Sequence, residues 1–314
     1  MYIGITGGTG FMGTHLARRL LADGHQPILI SRGANKQHSD VQGIEDAEFV
    51  AASVDDKSTL LEAFSKCDTI AHLAGINFER GTQTYQTVHV RGTKNVVEAA
   101  EEVGISKIIL TSFLRARPDC GSAYHESKWA AETIVRDADT DHTILKPGVT
   151  YGQGDHMLNH IVRALVTVPV FPLIGFQDRY LSPLAIEDFV DVIVSSLTEE
   201  RLSNTTVAVT GPEELSLSQA IRRIGDVIDR DPFMVPTPVA FHYGGAWLQE
   251  RVMQTPLTTK AQVRILNEGV VEPAPKAVCE PLPDDLWPAQ SFTTDRIQRG
   301  LPPLEPLRLQ DLRW

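Results

Sequence analysis

Residues 2–13 read YIGITGGTGFMG, and this stretch decides the fold of the 314-residue chain. Five residues of an apolar run lead directly into glycines spaced G-x-x-G-x-x-G, and a helical pattern follows. In a strand–turn–helix of this kind, Gly7 permits the tight turn, Gly10 lets the backbone approach a pyrophosphate, and Gly13 lets the helix pack closely on the strand. The free N–H groups at the start of the helix favour a phosphate. The stretch therefore predicts a Rossmann-type dinucleotide site, with an ordinary glycine-rich turn as the weaker alternative.

Short apolar runs alternate with segments of helical period through the first half of the chain, which is typical of successive βαβ units. The predicted strands are 2–6, 27–31, 47–51, 69–73, 107–112 and 142–146. The predicted helices between them are 12–22, 57–65, 85–103 and 124–137. We therefore predict an α/β fold, a Rossmann-type doubly wound parallel sheet with a smaller, partly interleaved C-terminal substrate lobe.

The character of the sequence changes after Val149, where prolines interrupt the helical pattern. This change predicts a dinucleotide-binding Rossmann domain over 1–150 and a substrate lobe over 151–314. Helix and strand patterns resume further along, so segments around 185–230 are expected to return to the Rossmann domain.

Composition excludes several classes of function. The net charge of −11 and the pI near 5.4 argue against nucleic-acid binding, which depends on a basic face. Cys67, Cys120 and Cys279 lack metal-ligand spacing, and His156 and His160 lack a matched third ligand, so no metal site is expected. No uncharged apolar run reaches the roughly 18 residues of a membrane helix. Without a secretory signal pattern at the N-terminus, the expected location is cytoplasmic. No nucleic-acid or membrane partner is expected, and the expected partner is a small-molecule substrate.

The end of the second predicted strand bears on the choice between NAD and NADP. Ser31 and Arg32 stand where an NAD-preferring protein more often has an acidic residue for the ribose hydroxyls. Arg32 can instead pair with a 2′-phosphate, with help from Ser31 and Lys36. The sequence therefore favours NADP over NAD, and a solvated surface arginine is the alternative.

The glycine turn, followed by YHESK at 124–128, resembles the extended and atypical short-chain dehydrogenase/reductase superfamily, which includes nucleotide-sugar epimerases and dehydratases. The likeness covers roughly residues 1 to 230. Further motifs that carry it are HLAG at 72–75, VRGTKNV at 90–96 and KPGVTYG at 146–152.

The resemblance implies a nicotinamide cofactor and assigns residues to it. The implied cofactor-binding residues are Gly7, Thr9, Gly10, Phe11, Met12 and Gly13 at the pyrophosphate, Ser53 and Val54 beside the adenine, Leu73, Ala74 and Gly75 along the groove, and Lys128, Pro147, Gly148 and Val149. It also allows a homodimer through the helices at 85–103 and 124–137.

The resemblance further implies a catalytic group. Tyr124 matches the proton donor and acceptor of the family, and Lys128 matches the lysine that makes this tyrosine more acidic. Their spacing of four residues places both on one helix face. Ser112, at the end of a predicted strand, matches the serine that hydrogen-bonds the reacting oxygen. An amphipathic helix that carries both Tyr124 and Lys128 by chance is the alternative.

Other positions depart from the family pattern. His89 stands where many relatives have Asn, and Arg115 and Arg117 follow Ser112 in a short loop. These arginines could bind a substrate carboxylate or phosphate, or be solvated. The expected function is an NAD(P)-dependent oxidoreductase or epimerase/dehydratase that acts on a small hydroxyl- or carbonyl-bearing substrate, possibly a nucleotide sugar. A catalytically silent NADP-binding sensor or structural subunit is the alternative of a different class.

Overall fold

The computed structural model describes residues 1–32, 44, 46–199, 201–275, 277–308 and 311. The strands are β1 (Tyr2–Thr6), β2 (Gln26–Ser31), β3 (Glu48–Ala51), β4 (Thr69–His72), β5 (Lys107–Thr111), β6 (Asp141–Pro147), β7 (Thr150–Tyr151), β8 (Val170–Ile174), β9 (Tyr180–Leu181), β10 (Leu184–Ala185), β11 (Thr205–Val209), β12 (Leu215–Ser216) and β13 (Phe233–Thr237). The α-helices are α1 (Phe11–Ala22), α2 (Lys57–Phe64), α3 (Gly92–Val103), α4 (Ala123–Arg136), α5 (His156–Thr167), α6 (Ile186–Thr198), α7 (Leu217–Val227), α8 (Val239–Val252), α9 (Lys260–Glu268) and α10 (Thr294–Gly300). A π-helical segment, Gln86–Arg91, leads into α3.

Two compact units divide the chain. The first comprises 1–147, 186–209 and 273–287, and the second comprises 148–185, 210–272 and 288–314. The return to the first unit therefore ends at Val209 instead of near residue 230, because α7 belongs to the second unit. A second return, over 273–287, has no counterpart in the sequence prediction.

A seven-stranded parallel sheet forms the centre of the first unit, in the order β11-β6-β5-β4-β1-β2-β3. The strand order reverses at β1, which lies between β4 and β2. The predicted α/β class with a doubly wound parallel sheet is thereby confirmed. Thr6 lies opposite both Ile30 and His72 in register, so the segments that follow these three strands leave the same edge of the sheet. In such sheets ligands bind at this reversal, outside the carboxyl ends of the strands.

The core of the first unit explains why these strands are continuous apolar runs. Ile108 and Ile144 are fully buried in the sheet, and Leu60, Phe64 and Val96 pack against the same cluster from α2 and α3. Burying one such side chain contributes about 1.5–3 kcal/mol. A sheet covered by helices on its faces needs apolar residues at successive positions instead of alternate ones.

Short paired strands and helices build the second unit: β7 pairs with β10, β9 with β12, and β8 with β13. None of the helices within the described ranges is long and apolar enough to cross a membrane.

Candidate active site

The glycine turn between β1 and α1 forms a cradle of bare backbone. Gly7 has φ +72°, and a Cβ built on it would lie 3.0 Å from the Cα of Ala74. A Cβ on Gly13 would lie 2.5 Å from the carbonyl oxygen of Gly7 and 2.7 Å from the Cα of Gly8. The turn is closed by hydrogen bonds, since the N–H of Gly10 donates to the Gly7 oxygen at 2.9 Å. The turn accommodates side chains at neither Gly7 nor Gly13, so its backbone can approach a ligand closely.

Substitution of Gly13 tests this cradle. In Gly13→Ala the turn must open to relieve the contact with the Gly7 oxygen, and we expect a loss of about 1–3 kcal/mol in the free energy of unfolding. The N-terminus of α1 moves with the turn, so we expect the NADPH dissociation constant to rise about tenfold or more. Urea unfolding and nucleotide titration measure the two effects.

The control is Gly244→Ala in α8, where a Cβ would meet nothing within 4 Å. It should leave the NADPH dissociation constant close to wild type, and it should not lower the free energy of unfolding, because Ala replaces Gly inside a helix without a steric contact. A Gly13→Ala variant with unchanged unfolding free energy and NADPH affinity would show that neither depends on the close packing of the turn.

The ends of β2 and β3 lie at the same edge of the sheet. The hydroxyl of Ser31 is buried without a hydrogen-bond partner among the described residues, and Arg32 follows it as an exposed side chain. Lys36 lies outside the described residues. Ser53 and Val54 follow β3 as half-buried residues, and the Val54 carbonyl accepts a hydrogen bond from a side chain of α3.

The segment after β4 runs beside the glycine turn. The N–H of Leu73 donates to the Thr6 oxygen at 3.1 Å, and Ala74 lies against Gly7. His72 precedes them with both ring nitrogens engaged, Nδ1 with the Thr6 hydroxyl at 2.7 Å and Nε2 with the Thr93 hydroxyl at 3.0 Å. Burial, assisted by the charge of a nearby lysine, lowers the pKa of His72 to about 3. His72 is therefore a neutral link between β1, β4 and α3.

These features fit a dinucleotide. The glycine turn offers unobstructed backbone, the start of α1 offers free N–H groups, and the Ser31 hydroxyl lacks a partner among the described residues. The predicted residues that follow β1 to β4 all lie at one edge, and Pro147 ends β6 within the first unit. Gly148 and Val149 follow Pro147 in the chain and open the second unit.

Tyr124 and Lys128 lie one turn apart on α4. The ammonium of Lys128 is buried and donates to the carbonyl oxygen of Thr111 at 2.8 Å. Burial lowers the pKa of Lys128 to about 8, against the opposing effect of Glu132. A Cβ built on Gly75 would lie 3.8 Å from the Lys128 nitrogen, so this ammonium lies beside the segment after β4, where the cofactor groove is predicted.

Aromatic rings surround the phenol of Tyr124. The rings of Tyr85, His89, Phe113 and His125 lie at centroid distances of 5.7, 5.8, 5.7 and 5.8 Å. Burial among them raises the pKa of Tyr124 to about 12. The phenol is therefore protonated at neutral pH and is an acid in this state.

The Ser112 hydroxyl joins a buried ion pair. Its hydroxyl donates to the Glu132 carboxylate at 2.5 Å, and Lys146 donates to the same oxygen at 2.6 Å. The side chains of Glu132 and Lys146 are each 2% exposed. The next residue, Phe113, supplies the ring beside Tyr124. The predicted bond from Ser112 to a reacting oxygen stays a prediction, and its hydroxyl is engaged with Glu132.

The remaining candidates lie elsewhere. Arg117 donates to the carbonyl oxygen of Arg115 within their own loop, and their substrate contacts stay predictions. In the second unit, the rings of His156 and His160 lie 5.6 Å apart on α5. Within the described parts of the chain, no group of three or more His, Cys, Asp or Glu is placed to hold a metal ion.

Several site residues were missed by sequence reasoning. Phe113 and Glu132 carry no motif of their own, and the motif that begins at Lys146 does not indicate an acidic partner. Glu132 lies four residues after Lys128, on a buried face of α4, and this placement of a carboxylate on an apolar face was the available signal.

A family model matches residues 3–209, and its description is NAD dependent epimerase/dehydratase family. Ceramide reductase of Caulobacter vibrioides is 27% identical over 236 residues, which cover 75% of this chain and 73% of that protein. NADH dehydrogenase (ubiquinone) 1 alpha subcomplex subunit 9, mitochondrial, of Mus musculus is 26% identical over 277 residues, 86% of this chain and 72% of that protein. An uncharacterized protein of Mycobacterium tuberculosis is 26% identical over 239 residues, and this chain spans only 24% of its length.

Solved structures share the fold at low identity. The UDP-glucose 4-epimerase of Thermus thermophilus in complex with NAD has a TM-score of 0.70 and 17% identity, covering 96% of this chain and 97% of that one. The UDP-glucuronic acid 4-epimerase of Bacillus cereus in complex with NAD has a TM-score of 0.66 and 18% identity, and the match covers 76% of this chain and 86% of that one. At these identities the likeness shows the fold alone.

Proposed function

Because the chain belongs to the NAD-dependent epimerase/dehydratase family, we propose that it is an NAD(P)-dependent oxidoreductase acting on a small substrate with a hydroxyl or carbonyl group. The observation that carries the proposal is the arrangement on α4. The Lys128 ammonium reaches toward Gly75 in the nucleotide groove, and Tyr124 lies one helical turn away. A nicotinamide dinucleotide, when bound, supplies or accepts the hydride.

The chain's own residues then handle the proton. Tyr124 carries its proton on Oη, since burial holds the phenol in its neutral form. A protonated phenol donates to a carbonyl oxygen, so the direction this site favours is carbonyl reduction. Lys128 is the lysine that the family resemblance pairs with this tyrosine, and the hydrogen bond to the Thr111 oxygen holds its ammonium in place. Gly7, Gly10 and Gly13 would hold the pyrophosphate.

A second candidate function is a nucleotide-binding subunit without catalysis. It is favoured by one observation: the Ser112 hydroxyl is engaged with Glu132, and Phe113 presents a ring to Tyr124. The Ser112 hydroxyl therefore donates to Glu132 and not to the phenol. The mouse relative is named as a subunit of a larger assembly, which agrees with this alternative.

A nucleotide screen separates the candidates. The protein is mixed with NADPH and a panel of ketones and aldehydes, and in a second series with NAD⁺ and UDP-glucose. Release of oxidised nucleotide with a carbonyl substrate supports the reductase. Formation of UDP-galactose without net change in the nucleotide indicates an epimerase. Tight nucleotide binding with neither reaction favours the silent subunit and contradicts the proposed enzyme.

The position of Arg32 predicts which of NADPH and NADH binds more tightly. It follows β2, and the sequence offers no carboxylate there for the ribose hydroxyls, so we expect NADPH to bind about tenfold more tightly than NADH. The preference should vanish in Arg32→Ala, with NADH affinity unchanged, when dissociation constants are measured by nicotinamide fluorescence. Arg222→Ala on α7, also an exposed arginine, is the matched control. The two epimerase structures compared with this chain contain NAD. Tighter binding of NADH than of NADPH to this protein would identify Arg32 as a solvated arginine.

A further inference from the structure

His89 occupies the π-helical turn before α3. It is the buried residue of the segment Gln86–Arg91, and its side chain is only 2% exposed. A π-helical turn inserts an extra residue into a helix and is found frequently at functional sites. The imidazole stacks on Tyr85 and meets the ring of Tyr124 edge-on. His89 therefore lies between the proposed nucleotide groove and the proposed proton donor.

Both ring nitrogens of His89 are engaged, and the partners fix which one carries the proton. The backbone N–H of Ile76 donates to Nε2 at 3.0 Å. Since a backbone N–H can only donate, Nε2 is the unprotonated acceptor. Nδ1 then carries the hydrogen and donates to the Ser127 hydroxyl at 2.9 Å. Ser127 in turn donates to the carbonyl oxygen of Tyr124 at 2.8 Å.

The result is a polarised chain of three hydrogen bonds from the segment after β4 to the backbone of α4. Each link has one possible direction. Burial lowers the pKa of His89 to about 2, and the nearby Lys128 adds to the effect, so the ring stays neutral. A Cβ on Gly75 would lie 3.4 Å from Nε2 and 3.8 Å from the Lys128 nitrogen. The imidazole and the ammonium thus approach the groove at the same point.

We propose that His89 is a positioning residue: its neutral imidazole ties the backbone at Ile76 to α4 and so fixes Tyr124 and Lys128 against the groove at Gly75. The inference rests on the proposed function, because it places these two groups relative to a bound nicotinamide nucleotide. His89 itself transfers no proton, since neither of its nitrogens is left to exchange one.

Four variants separate the links of the chain. His89→Leu removes both hydrogen bonds and leaves the Ile76 N–H buried without an acceptor. His89→Gln keeps an acceptor near the position of Nε2 and is the conservative rescue. Ser127→Ala cuts only the link to α4. His25→Leu, a partly exposed histidine before β2, is the matched control.

Three readouts are measured on the full chain with NADPH as the probe. Nitrogen-15 NMR identifies the tautomer of His89, hydrogen exchange follows the Ile76 amide, and the emission of bound NADPH reports the surroundings of its nicotinamide. We expect the Nδ1–H tautomer, neutral down to about pH 5. His89→Leu should speed the exchange of Ile76 by about tenfold or more and shift the emission toward that of free NADPH.

Rescue distinguishes positioning from a general structural role. His89→Gln should restore slow exchange at Ile76, and Ser127→Ala should keep that exchange slow while still shifting the emission. An Nε2–H tautomer, or a His89→Leu variant with the exchange and emission of wild type, would overturn the proposal. If the wild-type protein binds no NADPH, the proposed function fails, and the tautomer and the Ile76 exchange still decide whether His89 ties the two segments.

Discussion

Tyr124→Phe is expected to lower turnover by about 10²–10⁴-fold, the range for loss of a positioned general acid. The substitution removes one hydroxyl and leaves the aromatic ring among its four neighbours, so the site should keep its shape. The glycine turn is untouched, and the NADPH dissociation constant should stay within about twofold of wild type. The measurement is steady-state kinetics with the best carbonyl substrate of the panel, alongside a nucleotide titration.

The control for Tyr124→Phe is Tyr2→Phe at the exposed start of β1, which should have wild-type turnover. A fall in kcat at constant nucleotide affinity identifies Tyr124 as the acid. Equal turnover in Tyr124→Phe and wild type would remove the phenol from the mechanism, whatever the protein binds.

Glu132→Gln is expected to cost about 3–5 kcal/mol in the free energy of unfolding, because it leaves the charge of Lys146 buried without a counter-charge. Both side chains are 2% exposed, and the ammonium lies 2.6 Å from the carboxylate. The Lys146 ammonium also donates to the carbonyl oxygen of Ala116 at 3.2 Å, but this oxygen carries no charge that could replace the carboxylate. Urea unfolding measures the loss.

The double variant Glu132→Leu with Lys146→Met should recover part of this loss, since replacing both charges with apolar groups of similar size is often neutral or stabilising. The recovery is incomplete because the buried Ser112 hydroxyl loses its acceptor. Glu102→Gln is the control at an exposed ion pair, where the partner Lys57 lies 3.1 Å away, and it should leave the free energy of unfolding close to wild type because solvent screens the pair. A Glu132→Gln protein as stable as wild type would show that Lys146 is not charged in its buried position.

Much of the first unit follows from sequence alone. The glycine spacing predicts the turn at Gly7, and continuous apolar runs predict strands covered on both faces. The residues after β1 and β2 are assigned to the cofactor from the glycine turn and the end of the second strand, and those after β4 from the family resemblance; they lie at one edge because the carboxyl ends of parallel strands share it. Tyr124 and Lys128 share a helix face by their spacing alone.

The parts that sequence did not predict depend on contacts between distant segments. Ser112 follows a strand that ends at Thr111, and its position gave no sign that its hydroxyl would meet Glu132, twenty residues later on α4. The pair of Glu132 with Lys146 joins a helix to the following strand, and no spacing between the two residues indicates this pairing. The helix predicted over 85–103 begins as a π-helical turn. Apolar periodicity did not predict this turn, because a single wider turn hardly changes the spacing of apolar residues.

Hydride transfer at this site can be followed directly with deuterium. NADPH labelled with deuterium at both C4 positions is incubated with the protein and the carbonyl panel, and the alcohol product is analysed by mass spectrometry. We expect a product one mass unit heavier than the product from unlabelled NADPH, formed together with NADP⁺ and lost in Tyr124→Phe. A protein that binds the labelled nucleotide and transfers deuterium to no carbonyl substrate would contradict this function.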